Sequence, residues 1–304
     1  MKALVWNGEA VVEERPIPPI PRGWVLGKVL AASLTSIDAA VTSGTLPVIP
    51  GRILGSYGLI RIVEPGVDAS FGPGEVVGVT PLSSCGTLAI DLDGVMSEYA
   101  AVPSDTLIDV SRDATKGKNL WKLLLMLEFS FVPVLADIVE GKDILILGTG
   151  ISTYIIASFL KNYSRITVIG RESPFLKRLA GLGIKVLSAR KHLSKEGLLF
   201  DAVILCAIHS YMAMASPMYL RSGGALVLPP NTPHGKLVLS YPNTLSKIVI
   251  VRPEHGSLRD GEEVLKEVGA NLLESVIGVT KSFEEVGMLR RHYARITYTG
   301  GGGS

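Results

Sequence analysis

Two glycines and a threonine at fixed spacing carry the clearest chemistry in the chain. In the stretch KDILILGTGISTYIIASFLKNYSRITVIGR, residues 142–171, Gly148 and Gly150 end an apolar run, and an apolar segment of helical length follows. A glycine at the first position permits a tight turn, and one at the second lets a pyrophosphate approach the backbone. The helix opening at Ile151, Ser152 and Thr153 offers its free N–H groups to that anion. GTGIST therefore resembles a dinucleotide-binding fingerprint, with Thr153 where a third glycine would let the helix pack closely on the strand. The second strand ends in Gly170-Arg171, where an acidic residue would hold a ribose hydroxyl. No carboxylate there repels a 2′-phosphate and the guanidinium can pair with one, so the pattern favours NADP(H), with NAD(H) as the alternative. The plainer readings are a bare structural turn and, for Arg171, a solvated residue at a helix start.

Such a turn has to be held by a strand, a helix and a second strand. Ile144–Leu147 is an apolar run without polar alternation, as expected of a strand buried on both faces of a parallel sheet. Ile151–Tyr163 reads as the helix and Arg165–Ile169 as the returning strand. Further strands are expected at Lys185–Leu187, Asp201–Ala207, Gly224–Leu228 and Lys247–Val251, with helices at Ser173–Leu182 and Tyr211–Leu220 between them. Strands alternating with helices imply an α/β fold built on a doubly wound parallel sheet. Residues 1–110 differ: frequent glycine and proline separate short β-like runs at Ala3–Trp6, Val25–Ala31, Ile60–Val63, Val76–Val79 and Met96–Val102, which suggests a barrel-like β domain. Leu120–Val139 reads as one long apolar helix leading into the βαβ unit, and the tail ends in a helix, Phe283–Arg291, and a strand, Ala294–Tyr298, that could return to the first domain. The expected domains are 1–115 with 275–299, and 116–274. Residues 300–304 look like a linker.

Composition narrows the class. Thirty basic and 28 acidic residues give a formal charge of +2 without a basic run, so nothing suggests a nucleic-acid footprint. The chain is 47% hydrophobic and 19% charged, but Lys122, Glu128 and Asp137 break the longest apolar segment, so no membrane span is expected. MKALVWNGEA lacks the apolar core of a secretory signal, which makes a cytoplasmic protein the default. Cys85 and Cys206 fall in different expected domains, which argues against a disulfide. The histidines at 192, 209, 234, 255 and 292 show no metal-ligand spacing.

Four stretches in order carry a resemblance to the medium-chain dehydrogenase/reductase superfamily. AASLTSIDAAVTSG (31–44) is similar to the segment before that family's catalytic cleft, and PGRILGSYGLIRIVEPG (50–66) to its PGxxxGHEGxGxVxxxG stretch. GPGEVVGV (72–79) resembles its GDRV strand, and DGVMSEYAAVP (93–103) its GGxAEYxxVP. The resemblance implies a GroES-like β-barrel domain beside a Rossmann domain, and a homodimer or higher oligomer pairing through the sheet edge near Leu245–Val251. It also places Ala207 and His209, in the CAIHS segment, on the loop that lines the nicotinamide in relatives. The plainer readings are a solvated loop histidine and, for Cys206 before it, a small core residue.

The departures from the family pattern bear on the reaction. Zinc-dependent members have a cysteine where this chain has Thr35 and a His-Glu pair where it has Ser56-Tyr57. Hydroxyls are poor zinc ligands at neutral pH. Cys85-Gly86-Thr87 resembles the start of the family's structural-zinc lobe, but no further cysteine follows in that stretch, and Ile37 stands at the proton-relay position. No zinc is therefore expected. LTSID is instead similar to the VNPVD stretch of the zinc-independent quinone oxidoreductases, which transfer hydride from NADPH to an electron-poor carbon conjugated to a carbonyl. That chemistry needs a positioned cofactor and a donor to the developing enolate oxygen. Tyr57 is the first candidate donor, with Thr35 and Ser56 as alternatives that only bind water in the plainer reading. Tyr57 could instead simply close a barrel mouth. Asp38 is expected to fix the local backbone or cap a helix beginning at Ala39, and Glu128 could match the family's acidic residue ahead of its cofactor-side helix. A second reading is a catalytically silent relative that keeps the fold, with or without a nucleotide, as a binding or assembly module.

Overall fold

Short β-rich runs separated by glycine and proline pair into antiparallel sheets, whereas long apolar runs that alternate with helices pair in parallel. Both patterns occur here. The computed structural model describes residues 1–110, 119–192, 197–207, 210–232, 248–269, 273–289 and 295–300. The chain divides into two units, Met1–Glu128 with Ala270–Ser304, and Phe129–Gly269.

The first unit begins with β1 (Lys2–Trp6), β2 (Ala10–Glu14), β3 (Trp24–Leu34), α1 (Ser36–Thr42), β4 (Arg52–Ile53) and β5 (Tyr57–Pro65). It continues with β6 (Val76–Val79), β7 (Leu82–Ser83), β8 (Gly86–Thr87), β9 (Tyr99–Pro103), β10 (Leu107–Asp109) and α2 (Leu120–Phe129), which it shares up to Glu128. β1 lies between β2 and β4 in a small sheet. A larger sheet runs β10-β6-β5-β3, with β9 also on β3. Its pairs are antiparallel, and register shifts at Leu26/Gly27 and Val29/Ala31 bend the long strand β3.

The second unit follows the βαβ pattern: α3 (Val132–Val139), β11 (Asp143–Leu147), α4 (Ile151–Leu160), β12 (Arg165–Gly170), α5 (Pro174–Gly181) and β13 (Lys185–Ser188). Then come α6 (Ala189–His192), β14 (Phe200–Leu205), α7 (Ser210–Ala215), β15 (Leu220–Val227), β16 (Val249–Val251) and α8 (Leu258–Val268). Its sheet has the order β13-β12-β11-β14-β15-β16, and every pair is parallel. Ile144 to Leu147 and Ala202 to Leu205 are fully buried, as central strands covered on both faces must be. The order reverses between β11 and β14, and the crevice outside the carboxyl ends of those two strands is where a sheet of this kind admits a ligand.

The chain returns to the first unit with β17 (Ile277–Thr280), α9 (Phe283–Leu289) and β18 (Arg295–Thr299). β18 pairs antiparallel with β3 and parallel with β17, which extends the larger sheet.

Several elements differ from the sequence expectation. Leu120–Val139 is two helices, broken at Ser130-Phe131, because Pro133 sits in the first turn of α3, where its missing N–H costs nothing. The helix expected over Tyr211–Leu220 ends at Ala215 and gives way to a 3₁₀ turn, Ser216–Tyr219, around Pro217. The helix expected from Ala39 starts at Ser36. Lys247, Ala294 and the end of the Phe283–Arg291 helix lie outside the described residues, as does His209.

Candidate phosphate cradle and buried polar network

Gly148 follows β11 and Gly150 is the N-cap of α4, with extended backbone (φ −91°, ψ −170°) and no side chain capping the helix. The first turn closes with the Tyr154 N–H donating to the Gly150 carbonyl at 3.1 Å, so the N–H groups of Ile151, Ser152 and Thr153 are the helix's unspent donors. A Cβ at Gly150 would meet no heavy atom within 4 Å, which leaves room for an anion over the positive end of the ten-residue helix. These residues fit the pyrophosphate of a dinucleotide.

Close contacts fix the turn. A Cβ at Gly148 would lie 2.3 Å from Thr153 Oγ1 and 2.9 Å from Cys206 Cβ, and one at Gly170 would lie 2.3 Å from the Gly148 carbonyl oxygen. Glycine at 170 thus lets the end of β12 cross against the turn. The Ser173 hydroxyl donates to the Thr149 carbonyl at 2.9 Å and accepts from the Leu176 N–H at 3.2 Å, tying the start of α5 to the same turn. Arg171 is exposed, with no ion-pair partner among the described residues, while its neighbour Glu172 pairs with Lys177 at 2.9 Å, which lowers the Glu172 carboxyl. Ser152 Oγ accepts from Asn231 Nδ2 at 3.3 Å. Ala207 packs against the apolar cluster around β14. Burial pushes the Cys206 thiol up to about 12, so it is a neutral core group at ordinary pH.

In the first unit, Thr35, Ser56 and Asp38 come together in a dry network. The Asp38 carboxylate accepts from the Gly55 N–H at 2.7 Å, the Thr35 N–H at 2.8 Å and the Ser56 hydroxyl at 2.9 Å. The Thr35 and Ser56 hydroxyl oxygens are hydrogen-bonded at 2.7 Å. Thr35, not Asp38, is the N-cap of α1. Its side chain accepts from the Ile37 N–H at 3.2 Å, while Asp38 sits three residues on and reaches back to the cap backbone. This is the reciprocal arrangement a T-x-x-D spacing allows, and the reason the helix starts three residues early. Burial raises the Asp38 carboxyl above its ordinary value, opposed by the backbone and hydroxyl donors.

Tyr57 is fully buried at the start of β5, opposite Ser33, and Ile296 lies opposite Leu34. Tyr57, the end of β3 and Arg295 therefore share one end of the sheet. Arg295 makes a two-armed ion pair with Glu128, through Nε at 3.3 Å and through Nη2, and both side chains are almost wholly buried. Desolvation, with a smaller contribution from the Glu128 charge, raises the Tyr57 phenol well above its ordinary value, and Arg295 opposes it. Arg295 was missed in the sequence reading. The available signal was a single arginine in the otherwise uncharged run ARITYT, which a buried strand tolerates only with an anionic partner. Among the described residues no three His, Cys, Asp or Glu side chains gather as a metal site, and Cys85 is exposed and unpaired.

Comparison places this arrangement among known folds. No family sequence model matches the chain and no curated protein matches it by sequence. Solved structures do. An alcohol dehydrogenase from Thermus sp. ATN1 is 16% identical with a TM-score of 0.70, covering 98% of this chain and 99% of its own. An alcohol dehydrogenase from E. coli CFT073 complexed with NADH is 19% identical with a TM-score of 0.68, covering 98% and 99%. Haloferax mediterranei glucose dehydrogenase, in complex with NADP, Zn and gluconolactone, is 15% identical with a TM-score of 0.68 over all of both chains. The chain shares the fold of these alcohol and glucose dehydrogenases.

The Asp38 network predicts a measurable stability effect. Asp38→Asn keeps the shape but places an amide donor where backbone and hydroxyl donors converge, and should cost about 1–3 kcal/mol by urea unfolding at neutral pH. Because folding raises the Asp38 carboxyl, its titration favours the folded state at low pH, and that contribution is lost as pH rises through the folded value. Asparagine does not titrate, so the variant's deficit should narrow as pH rises across that window.

Proposed function

We propose that this chain is a zinc-independent, NADP(H)-preferring oxidoreductase of the medium-chain dehydrogenase/reductase superfamily, closest to the quinone oxidoreductase type, with a GroES-like first domain and a Rossmann second domain. Its substrate is a carbonyl-conjugated or quinone-like small molecule. The observation that carries the reading is the uncapped, glycine-entered helix α4 at the order reversal of a six-stranded parallel sheet. Dehydrogenases with the same fold were solved with NADH and with NADP.

The chain's own residues supply positioning and electrostatics. The N–H groups of Ile151 to Thr153 hold the pyrophosphate, and Arg171 pairs with the 2′-phosphate. Ala207, with His209, borders the nicotinamide. The cofactor, when bound, supplies the hydride. The Tyr57 phenol, kept protonated by burial and by Glu128, donates a hydrogen bond to the oxygen on which charge develops. Thr35 and Ser56 hold the start of α1 and the loop before Tyr57 in place through Asp38. The zinc-free reading is supported by this donor set: two hydroxyls committed to a carboxylate, a buried phenol, and a Glu128 committed to Arg295. We place the protein in the cytoplasm, with no nucleic-acid or membrane partner; no helix among the described residues is long and apolar enough to cross a membrane.

A second reading, a catalytically silent nucleotide-binding or assembly module, is favoured by one observation. Thr35, Ser56 and Tyr57 are all buried, and the two hydroxyls are satisfied by each other and by Asp38.

Three measurements test these proposals. Fluorescence titration should show NADPH binding more tightly than NADH by about five- to a hundredfold, and Arg171→Ala should weaken NADPH while leaving NADH nearly unchanged. Binding of neither cofactor would remove the reductase and leave the module. Elemental analysis should find no stoichiometric zinc; about one zinc per chain, removable with loss of activity, would contradict the metal-free reading. Light scattering at micromolar concentration should give at least a dimer, formed through the edge strand β16, whose Val249 and Ile250 are 41% and 60% exposed; a monomer would refute it.

A further inference from the structure

Thr153 occupies the third position of the glycine turn, and its hydroxyl has no hydrogen-bond partner. The residue is wholly buried, and Oγ1 makes no hydrogen bond of normal geometry among the described residues. A buried hydroxyl left unpaired destabilises a folded chain, and native structures rarely keep one without cause. The neighbouring thiol of Cys206 is at best a weak partner.

Its location gives the cause. Gly148 follows β11 and Cys206 follows β14, and the ideal Cβ position of Gly148 lies 2.3 Å from Thr153 Oγ1 and 2.9 Å from Cys206 Cβ. The hydroxyl therefore sits between the carboxyl ends of the two strands at which the sheet order reverses, under the first glycine of the turn. It also belongs to the first turn of α4, whose N–H groups are unspent. A glycine here would only let the helix approach the strand. A threonine adds a methyl group that packs and a hydroxyl that finds nothing to bond in the free protein.

We propose that Thr153 is a dinucleotide-binding residue whose hydroxyl gains its hydrogen-bond partner from the pyrophosphate centre of the bound cofactor. The inference rests on the reading of the Gly148–Thr153 turn as a dinucleotide cradle. It assigns to the turn a side-chain donor in addition to its backbone donors, at the position where the fingerprint asks for the smallest residue. In the free protein that donor costs stability; in the complex it contributes affinity.

The test uses Thr153→Val, which keeps the volume and branching and removes only the hydroxyl, with Thr153→Ser as the variant that restores it. Thermal unfolding of the free full-length chain should show Thr153→Val more stable than the wild type by about 2–4 °C, since it relieves an unpaired buried group. Calorimetric titration should show the same variant binding NADPH and NADH about tenfold or more weakly, with Thr153→Ser close to the wild type. Adenosine 2′,5′-bisphosphate, which lacks the pyrophosphate, should bind wild type and Thr153→Val equally. Unchanged dinucleotide affinity in a folded Thr153→Val overturns the inference while the dinucleotide reading stands, as does equal weakening of the bisphosphate. If the wild type binds neither dinucleotide, the underlying reading fails and the inference falls with it.

Discussion

The approach of three backbone segments at the carboxyl ends of β11, β12 and β14 is the constraint on which the second unit depends. Side chains would collide at Gly148 and at Gly170, and in both cases one of the obstacles lies 2.3 Å from where the Cβ would be. A methyl group inserted into packing this tight costs about 1–3 kcal/mol and shifts the backbone. The shift would move the start of α4, and with it the direction of the three unspent N–H groups. Packing and ligand geometry are thus one problem at this point, because the contacts that close the turn also aim its donors. Ser173 joins the start of α5 to the same turn through the Thr149 carbonyl, which fixes the backbone that carries Arg171.

The first unit solves a different problem, that of keeping a carboxylate in a dry environment. Asp38 has no cationic partner at hydrogen-bond distance. Its oxygens are satisfied by two backbone N–H groups and by the Ser56 hydroxyl. Backbone donors are fixed by the chain's path, so the network holds the path as much as the path holds the network. Gly55, at φ +92°, turns the chain so that its own N–H and the Ser56 hydroxyl reach the same carboxylate. Glu128 is treated otherwise. It meets a guanidinium two-fold, and removing either partner would strand the other's charge in the core. One end of the sheet therefore carries two buried carboxylates, one neutralised by dipoles and one by a cation, with Tyr57 subject to the second.

Local signals made much of this legible in the sequence. The Gly148–Gly150 turn lay between an apolar run and a helical one, and the alternation beyond it was enough to imply the parallel sheet. Strand ends were underestimated where they run on past their apolar centres, as in β3, which continues to Leu34. The break in Leu120–Val139 was written in Pro133, whose meaning depends on whether it falls in a helix's first turn or its interior. That is hard to judge while the run is read as one helix. Thr35 as cap and Asp38 as its reciprocal partner were readable from T-x-x-D, but the spacing was weighed at the aspartate alone. Arg295 was not legible as a functional neighbour of Tyr57, because 238 residues separate them and only the pairing of β18 with β3 brings them to one end of the sheet.

The two candidate sites differ in what they ask of the sequence. A phosphate cradle is made mostly of backbone N–H groups, which every residue but proline supplies; the side-chain requirement is confined to the few positions where a Cβ would collide. Thr153 can therefore replace a glycine while the donors of Ile151, Ser152 and Thr153 itself stay in place. A metal site has no such tolerance, because each ligand is a particular side-chain atom and one substitution removes it. Thr35 and Ser56 show what a pair of such positions becomes once a carboxylate can satisfy them: a closed set of hydrogen bonds that stabilises the loop before Tyr57 and leaves no lone pair directed at an ion. A chain under these rules keeps its nucleotide site through substitutions that abolish a metal site. That is the asymmetry seen between GTGIST and LTSID, and it directs attention to the phenol and the cradle as the surviving chemistry.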